Sequence, residues 1–163
     1  MFETALNLYA FNLEFCERQC VEFDSGAIYR RPSPSLHAPA WILGHLAIAT
    51  DWAGSILGIE RACPASWHRA FSPGTTGEIE IDEPPSKEQL LGAIRRGHER
   101  VAASISTRFD PARMSQPHAI ALLNSSSIRT LGDALMHLLT THEAMHLGQL
   151  SMCRRATGLQ AIF

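Results

Sequence analysis

Two histidines near the carboxyl end of the chain have the spacing of a metal-binding pair. His142 and His146 are four residues apart, so on a helix their side chains lie on one face, about 6 Å from each other. They continue an apolar stripe made of Leu135, Leu138, Leu139 and Met145. Two polar rings on a core face would lose hydrogen bonds to water, whereas one shared cation would satisfy both. We therefore favour a metal site over two histidines that are satisfied separately on a polar face.

The same residues match H-E-x-x-H, the pattern of zinc proteases in which the glutamate, here Glu143, acts as the general base. The common protease families take a third ligand, Glu or His, from further downstream. The segment after His146, residues 147–163, contains no Asp, Glu or His. The pattern also predicts no sheet beside this helix to hold a peptide. The protease hypothesis is therefore disfavoured, and Glu143 stays a candidate catalytic residue.

A third ligand has to come from upstream, and His45 is the best-placed histidine. Its neighbours at helical spacing are apolar: Trp41, Ile42, Ile48, Ala49 and Trp52. A single histidine on such a face is more often a packed core residue. Three histidines that converge in one core are explained together by a bound metal ion. We predict one divalent metal ion per chain, bound by His45, His142 and His146. Imidazole suits zinc, nickel and iron, and we expect zinc or nickel ahead of iron.

Several further residues are candidates for the surroundings of this metal. Asp51 shares a predicted helix with His45 and could accept a hydrogen bond from an imidazole N–H. A long connection that could close over a pocket carries Trp67, His68 and Phe71. Four residues are assigned to the pocket or to the support of the ligands: Asp51, His68, His98 and Gln149. His137 precedes His142 by five residues, a rotation of about 140° on an α-helix, so we expect it to point elsewhere.

Four helical segments must position these residues. Apolar residues at steps of three and four predict helices over about residues 2–23, 39–58, 86–109 and 130–158. Their ends carry typical signals: Pro39, Ser86 with Gln89, and Thr130 with Asp133 as starts, and Gly58 as a stop. Strand patterning is confined to the short segment 78–81. We predict an all-α, up-and-down four-helix bundle with long connections between helices 2 and 3 and between helices 3 and 4.

The composition favours one soluble domain that spans residues 1–163. The chain is 45% hydrophobic and 18% charged with a formal net charge of -2, so it offers no basic surface for nucleic acid. The most apolar stretch, about residues 38–59, contains His45 and Asp51, which disfavours a membrane helix. No export signal and no C-x-x-C are recognised, so we expect a cytoplasmic protein with reduced thiols.

The order of these features resembles the DinB-like superfamily (DinB/YfiT-like) of four-helix-bundle metalloproteins. The resemblance rests on W-x-x-x-H at Trp41 to His45 and on H-E-x-x-H-x-G-Q at His142 to Gln149. It implies that one histidine of the second helix and two of the last bind a divalent metal, which here are His45, His142 and His146. Members of the superfamily include bacillithiol-using thiol-S-transferases, mycothiol-dependent isomerases and the N-terminal domains of ergothioneine-forming enzymes.

Three protein ligands leave a coordination position open, as in catalytic zinc sites. We expect an enzyme that activates a low-molecular-weight thiol for transfer to a small-molecule electrophile, a thiol-S-transferase type of reaction. Two alternatives stay open: a metal-dependent hydrolase with metal-bound hydroxide, and a non-catalytic metal-binding protein related to stress.

The second predicted helix is apolar almost all round, and such a helix must be buried on all sides. We expect a bundle to cover the face that carries His45, which leaves another face to be covered by the connections, by a partner, or by both. A homodimer formed by helix packing is therefore expected, and the resemblance points the same way because DinB-like relatives are often dimeric.

Overall fold

The computed structural model describes residues 2–75 and 77–162, and within these ranges the chain is all-α, with one isolated bridge between Pro117 and Thr130 and no strand. The helices are α1 (Phe2–Cys20), α2 (Pro39–Ile56), α3 (Ala65–Ala70), α4 (Lys87–Arg108), α5 (Pro111–Met114), α6 (Leu131–His137) and α7 (Glu143–Ala156). A π-turn over Leu138–His142 joins α6 directly to α7, so the two form one long helical segment. Short 3-10 turns lie at Ala27–Tyr29 and Ala121–Leu123.

The helix ends follow local signals in the sequence. The Ser86 side chain accepts a hydrogen bond from the Gln89 backbone while the Gln89 side chain accepts one from the Ser86 N–H, a complete capping box that starts α4. Thr130 and Asp133 make the same pair of bonds before α6. Gly58 follows α2 with φ of +76°, a conformation that glycine adopts without strain. The first helix ends at Cys20, earlier than the predicted end near residue 23.

The long connections carry short helices of their own. The connection between α2 and α4 contains α3, and the connection between α4 and α6 contains α5 and a 3-10 turn. Segment 78–81, which has the alternation of a strand, is irregular. A single short alternating segment has no partner strand to pair with, and an isolated strand is unstable in water.

The four long helical segments contact one another in a closed cycle. Helix α2 packs on α4 and α7, and α1 packs on the same two helices from the other side. Among the described residues, the buried apolar side chains form two clusters. One cluster joins the first half of α2 to the later parts of α1 and α7 and to the first half of α4, and the other joins the second half of α2 to the second half of α4 and to α6. Helix α2 is therefore the central element of the core.

Almost the whole surface of α2 is covered by the chain itself. In this helix only Trp52 and Ser55 are not buried. The connections as well as the other helices pack against α2, which is one of the kinds of cover expected for the face that does not carry His45. Among the described residues, no helix has the length and apolar character needed to cross a membrane.

Met145, which the sequence placed on the core stripe of the last helix, is 57% exposed. It lies two residues from Glu143 and two from Leu147, about 200° round the helix from each. Both of those residues are buried. Since Glu143 and Leu147 face the core, Met145 has to face outward.

Candidate metal centre

Three histidines from distant parts of the chain meet inside the helical core. His45 comes from the middle of α2, His142 from the last position of the π-turn, and His146 from the first turns of α7. Each offers a ring nitrogen, and these three atoms lie within 4.8 Å of one another. The Nε2 atoms of His45 and His142 are 3.2 Å apart. The structure thus brings together the three residues that the spacing singled out as ligands.

Hydrogen bonds at Nδ1 assign the tautomers of His45 and His146. His45 Nδ1 lies 2.7 Å from the backbone oxygen of Phe71, which can only accept, so this nitrogen carries the proton. His146 Nδ1 lies 2.9 Å from Oε1 of Gln149, so this nitrogen is likewise the donor. In both rings Nε2 therefore carries a lone pair that can accept a hydrogen bond or bind a metal ion. Metal-binding histidines commonly use this arrangement, in which the second nitrogen is held by an acceptor.

The electrostatics of the site keep the imidazoles neutral. Burial lowers the pKa of His45 to about 4 and that of His142 to about 3, and it also lowers the pKa of His146. The neutral ring is the form that binds metals. The Nε2 atoms of His45 and His142, 3.2 Å apart, are close enough to share a proton on His142 Nε2, and a divalent ion bound by both atoms would replace that proton. The donor set therefore fits a divalent ion that accepts imidazole ligands, with three protein ligands and room for another.

Two tryptophans enclose the His45 ring. Trp41 stacks on it with ring centroids 4.9 Å apart, and Trp52 meets it edge-on at 5.3 Å. Large apolar rings restrict the access of water to the nitrogens, which strengthens electrostatic interactions within the site.

A glycine allows the loop after α3 to reach His45. The ring of Phe71 packs so closely on Gly44 that a Cβ there would lie 2.4 Å from Phe71 Cδ2. This approach brings the Phe71 backbone oxygen to His45 Nδ1. The sequence named Phe71 as a pocket residue, but its contribution to His45 is a backbone carbonyl, which no residue type encodes.

His137 lies beside the site, contrary to the expectation that it points elsewhere. Its ring meets that of His142 with centroids 5.7 Å apart, and both residues line one cavity. The reason is the π-turn between them. Its hydrogen bonds run from residue i to residue i+5, so five residues complete about one turn and return to nearly the same face. An ideal α-helix would have separated the two rings.

Asp51 and His68 bind each other rather than the three histidines. Asp51, whose side chain is only 1% exposed, accepts hydrogen bonds from His68 Nε2 at 3.0 Å and from the backbone N–H groups of Ala62 and Cys63. These bonds fix the connection after α2 and the helix α3 on the surface of α2. The pair supports the segment that carries Phe71.

His98 and Glu143 form a second buried pair in the core. His98 Nε2 and Glu143 Oε1 are 2.8 Å apart, and the Tyr9 ring stacks on His98 with centroids 3.6 Å apart. Burial raises the pKa of Glu143 despite the opposing effect of His98. Glu143 thus faces α4 rather than the histidine cluster, although it lies between two of the cluster's residues in sequence.

Comparison with protein families places the chain in a known superfamily. A family model described as the DinB superfamily matches residues 20–150, which is more than half of the chain. This range contains all three histidines of the cluster together with Gln149. No curated protein and no solved structure matches the chain.

Proposed function

Because the chain belongs to the DinB superfamily, we propose that it is a metal-dependent enzyme whose single divalent ion is bound by His45, His142 and His146. The observation that carries this proposal is the set of three ring nitrogens within 4.8 Å of one another. The Nδ1 protons of His45 and His146 are engaged by acceptors, which leaves their Nε2 atoms free to bind the ion. We expect zinc or nickel in the site, with iron as a further option.

The proposed reaction is the transfer of a low-molecular-weight thiol to a small electrophile. When bound, a divalent ion would lower the pKa of a thiol ligand and so provide a thiolate near neutral pH. In the reaction the thiol sulfur forms a bond to the electrophilic carbon, and the leaving group departs with its bonding electron pair. The thiol proton is released to solvent or to the leaving group, so the products are a thioether and an acid.

The residues of the chain have distinct tasks in this proposal. The Phe71 carbonyl and the Gln149 side chain orient His45 and His146. Trp41 and Trp52 limit water around His45. The engagement of Glu143 with His98 favours thiol transfer over hydrolysis, because the glutamate that would activate water in an H-E-x-x-H hydrolase is held elsewhere.

Elemental analysis of protein purified without a metal-affinity tag tests the site. We expect one metal ion per chain in the unmodified protein and none in His142→Ala. The matched control is His118→Ala, because His118 lies on the connection before α6 and bonds to the backbone of Ile128. Full metal content in His142→Ala, or equal loss in the control, would contradict the assignment.

A turnover assay separates the three functional hypotheses. Metal-loaded protein is mixed with a thiol and chlorodinitrobenzene, and the loss of thiol is followed with and without a chelator. Metal-dependent thiol consumption supports the transferase. Metal-dependent hydrolysis of an ester without thiol consumption supports the hydrolase instead. Stoichiometric metal with neither activity supports the non-catalytic metal-binding protein.

We further propose that the four long helical segments form an up-and-down four-helix bundle, that residues 1–163 are one domain, and that the protein is cytoplasmic. The closed cycle of contacts among α1, α4, α2 and α7 supports the bundle. Limited proteolysis checks the domain, because a single domain gives one protected fragment. Two separately stable fragments would argue for a division within the chain.

A further inference from the structure

A cavity of about 510 Å³ opens beside His142. Its walls are mainly apolar and come from three parts of the chain: Trp52 and Ile56 of α2, Ile120 and Leu123 of the connection before α6, and Leu131 and Leu138 around α6. This volume lies in the range of small-molecule sites, which are about 300 to 1,000 Å³. An aliphatic or aromatic ligand would bury its surface here.

The charged side chains that line this cavity, among the described residues, are all positively charged. Among the described residues that line it, Arg61 and Arg113 are the charged ones, and no Asp or Glu is present. Arg113 is held in place because its Nε donates to the backbone oxygen of Ile56 at 3.0 Å. Arg61 is exposed and has no hydrogen bond or ion pair with any residue in 2–75 or 77–162. Two cations on an apolar cavity without a carboxylate match a ligand with one anionic group.

The cavity also reaches the histidine cluster, because His142 is part of its wall. His142 belongs both to the cavity wall and to the cluster, and the His137 ring lies next to it. A molecule that fills the cavity therefore contacts a proposed metal ligand at one point and lies within the same cavity as the two arginines. Such an arrangement holds one end of a substrate by charge and its body by apolar contact.

We propose that this cavity binds the electrophilic substrate, and that this substrate is a small organic acid with an apolar body whose anionic group pairs with Arg61 and Arg113. The inference rests on the proposed metal-dependent function, because it takes the cavity next to His142 as the substrate site. The thiol occupies the metal side of His142, and the organic acid occupies the cavity side.

Two fluorescent probes of similar shape and different charge test this inference. Anilinonaphthalene sulfonate carries an anionic group on an apolar body, and phenylnaphthylamine has a similar body without charge. The unmodified protein should bind the anionic probe about tenfold more tightly, the effect of one charge-assisted hydrogen bond. Arg61→Gln should reduce this preference, with Arg113 still in place, and leave the affinity for the neutral probe unchanged. The control Arg69→Gln changes an exposed arginine of α3 that does not line the cavity and should leave both affinities unchanged.

Energy transfer from tryptophan locates the bound probe. Trp52 lines the cavity, whereas Trp67 lies in a different pocket beside α4. We expect Trp52→Phe to reduce the transfer to the anionic probe and Trp67→Phe to change it little. Transfer that is insensitive to Trp52 would place the probe elsewhere and overturn the inference, as would equal affinity for the two probes in the unmodified protein.

Metal content and probe binding are measured on the same samples, which separates the two proposals. A protein that binds metal but neither probe overturns the cavity inference and leaves the metal function standing. A protein that binds the anionic probe but no metal overturns the proposed function. In the turnover assay the anionic probe should compete with the electrophile, and inhibition that is independent of the electrophile concentration would contradict its place as substrate site.

Discussion

The three histidines of the cluster are fixed by the chain in different ways. A backbone carbonyl holds His45 and the Gln149 side chain holds His146, whereas Nδ1 of His142 is buried and has no hydrogen-bond partner among the residues that the structure describes. His142 is also the most exposed of the three, because it lines the cavity. Its position therefore depends on the backbone that carries it, and a change at His142 should affect metal binding with little effect on the remaining core.

At the residue scale, acid should destabilise the metal-free protein. Burial lowers the pKa of His45 to about 4 and that of His142 to about 3 from the ordinary value of 6.5. Between the lowered pKa of each histidine and the ordinary value of 6.5, the unfolded chain binds more protons than the folded chain. The contribution of these histidines to the free energy of unfolding should therefore be constant well above pH 6.5 and fall as the pH drops through it, by up to about 1.4 kcal/mol per pH unit for each histidine.

Urea denaturation from about pH 7 to about pH 5 measures this dependence. Glu143, whose pKa is raised by burial, acts in the opposite direction but is a single group. The variant His142→Asn should show a shallower dependence because it removes one of the titrating rings. Equal stability across the range in the unmodified protein would mean that the histidines are not held neutral by burial.

Glu143 should contribute to stability more than to metal binding. In Glu143→Gln the amide oxygen still accepts from His98 Nε2, so we expect nearly full stability and full metal content. In Glu143→Leu the buried His98 Nε2 loses its partner, which should cost about 1 to 3 kcal/mol of unfolding free energy. Chemical denaturation and elemental analysis of both variants check this. Loss of turnover in Glu143→Gln, with metal and stability intact, would give Glu143 the role of a general base.

The sequence predicts the cluster well where residue type and spacing determine position. The apolar neighbours of His45 and the four-residue step from His142 to His146 were sufficient to bring the three together as candidates. The sequence could not predict the Phe71 contact, because a backbone carbonyl has no residue signature. It placed His137 wrongly, because the angle between two helical residues was taken from an ideal α-helix.

At the scale of elements, the π-turn is the feature with the largest effect on the site. Its carbonyl groups at Leu139 and Thr140 lie 3.4 Å from the Asn12 side-chain amide of α1, which is buried. Thr140 also bonds back to the Met136 carbonyl. The apolar pattern from residue 130 onward predicts one continuous helix, which is correct, but it carries no signal for a change in hydrogen-bond register. The turn therefore depends on tertiary contacts such as that of Asn12.

The close approach of the α3 connection to α2 predicts a strong effect of Gly44→Ala. The new Cβ would lie 2.4 Å from Phe71 Cδ2 in a buried position. We expect a loss of about 1 to 3 kcal/mol in unfolding free energy. Displacement of Phe71 also removes the acceptor of His45 Nδ1, so the affinity for zinc should fall as well.

Denaturation and zinc titration measure the two effects of this substitution. The matched control is Gly92→Ala in α4, where a Cβ meets only the mobile guanidinium end of Arg96 at 3.2 Å. Alanine there should increase stability by about 0.5 to 1 kcal/mol, because it is the better helix former. Unchanged stability and zinc affinity in Gly44→Ala would show that the Phe71 contact is not required.

At the scale of the whole molecule, the connections act as covers for the central helix. The sequence indicated correctly that α2 is buried on nearly all sides. It could not indicate that Phe71 covers Gly44, or that Asp51 binds the backbone of Ala62 and Cys63, because irregular segments have no periodicity from which to predict their packing. The connections are thus among the segments that bury α2, as one of the expected alternatives has it.

The homodimer stays a prediction, and we propose that its interface lies on α1 and α7 rather than on α2. Leu8 and Phe11 of α1 are each 48% exposed, and Met145 and Met152 of α7 are 57% and 54% exposed. Since α1 and α7 contact each other, these apolar side chains lie on neighbouring helices. Exposed apolar side chains concentrated on neighbouring elements are typical of protein interfaces. We therefore expect light scattering at micromolar concentration to give twice the 18.0 kDa mass of one chain.

The variant Phe11→Glu should shift this mass toward the monomer, because a buried unpaired carboxylate at an interface is unfavourable. Its metal content should be unchanged, since Phe11 lies outside the histidine cluster. The control Val21→Glu changes a residue that is 74% exposed just beyond the end of α1, and it should leave the mass unchanged. A monomer mass for the unmodified protein would contradict the dimer. A dimer that withstands Phe11→Glu, Met145→Glu and their combination would place the interface elsewhere.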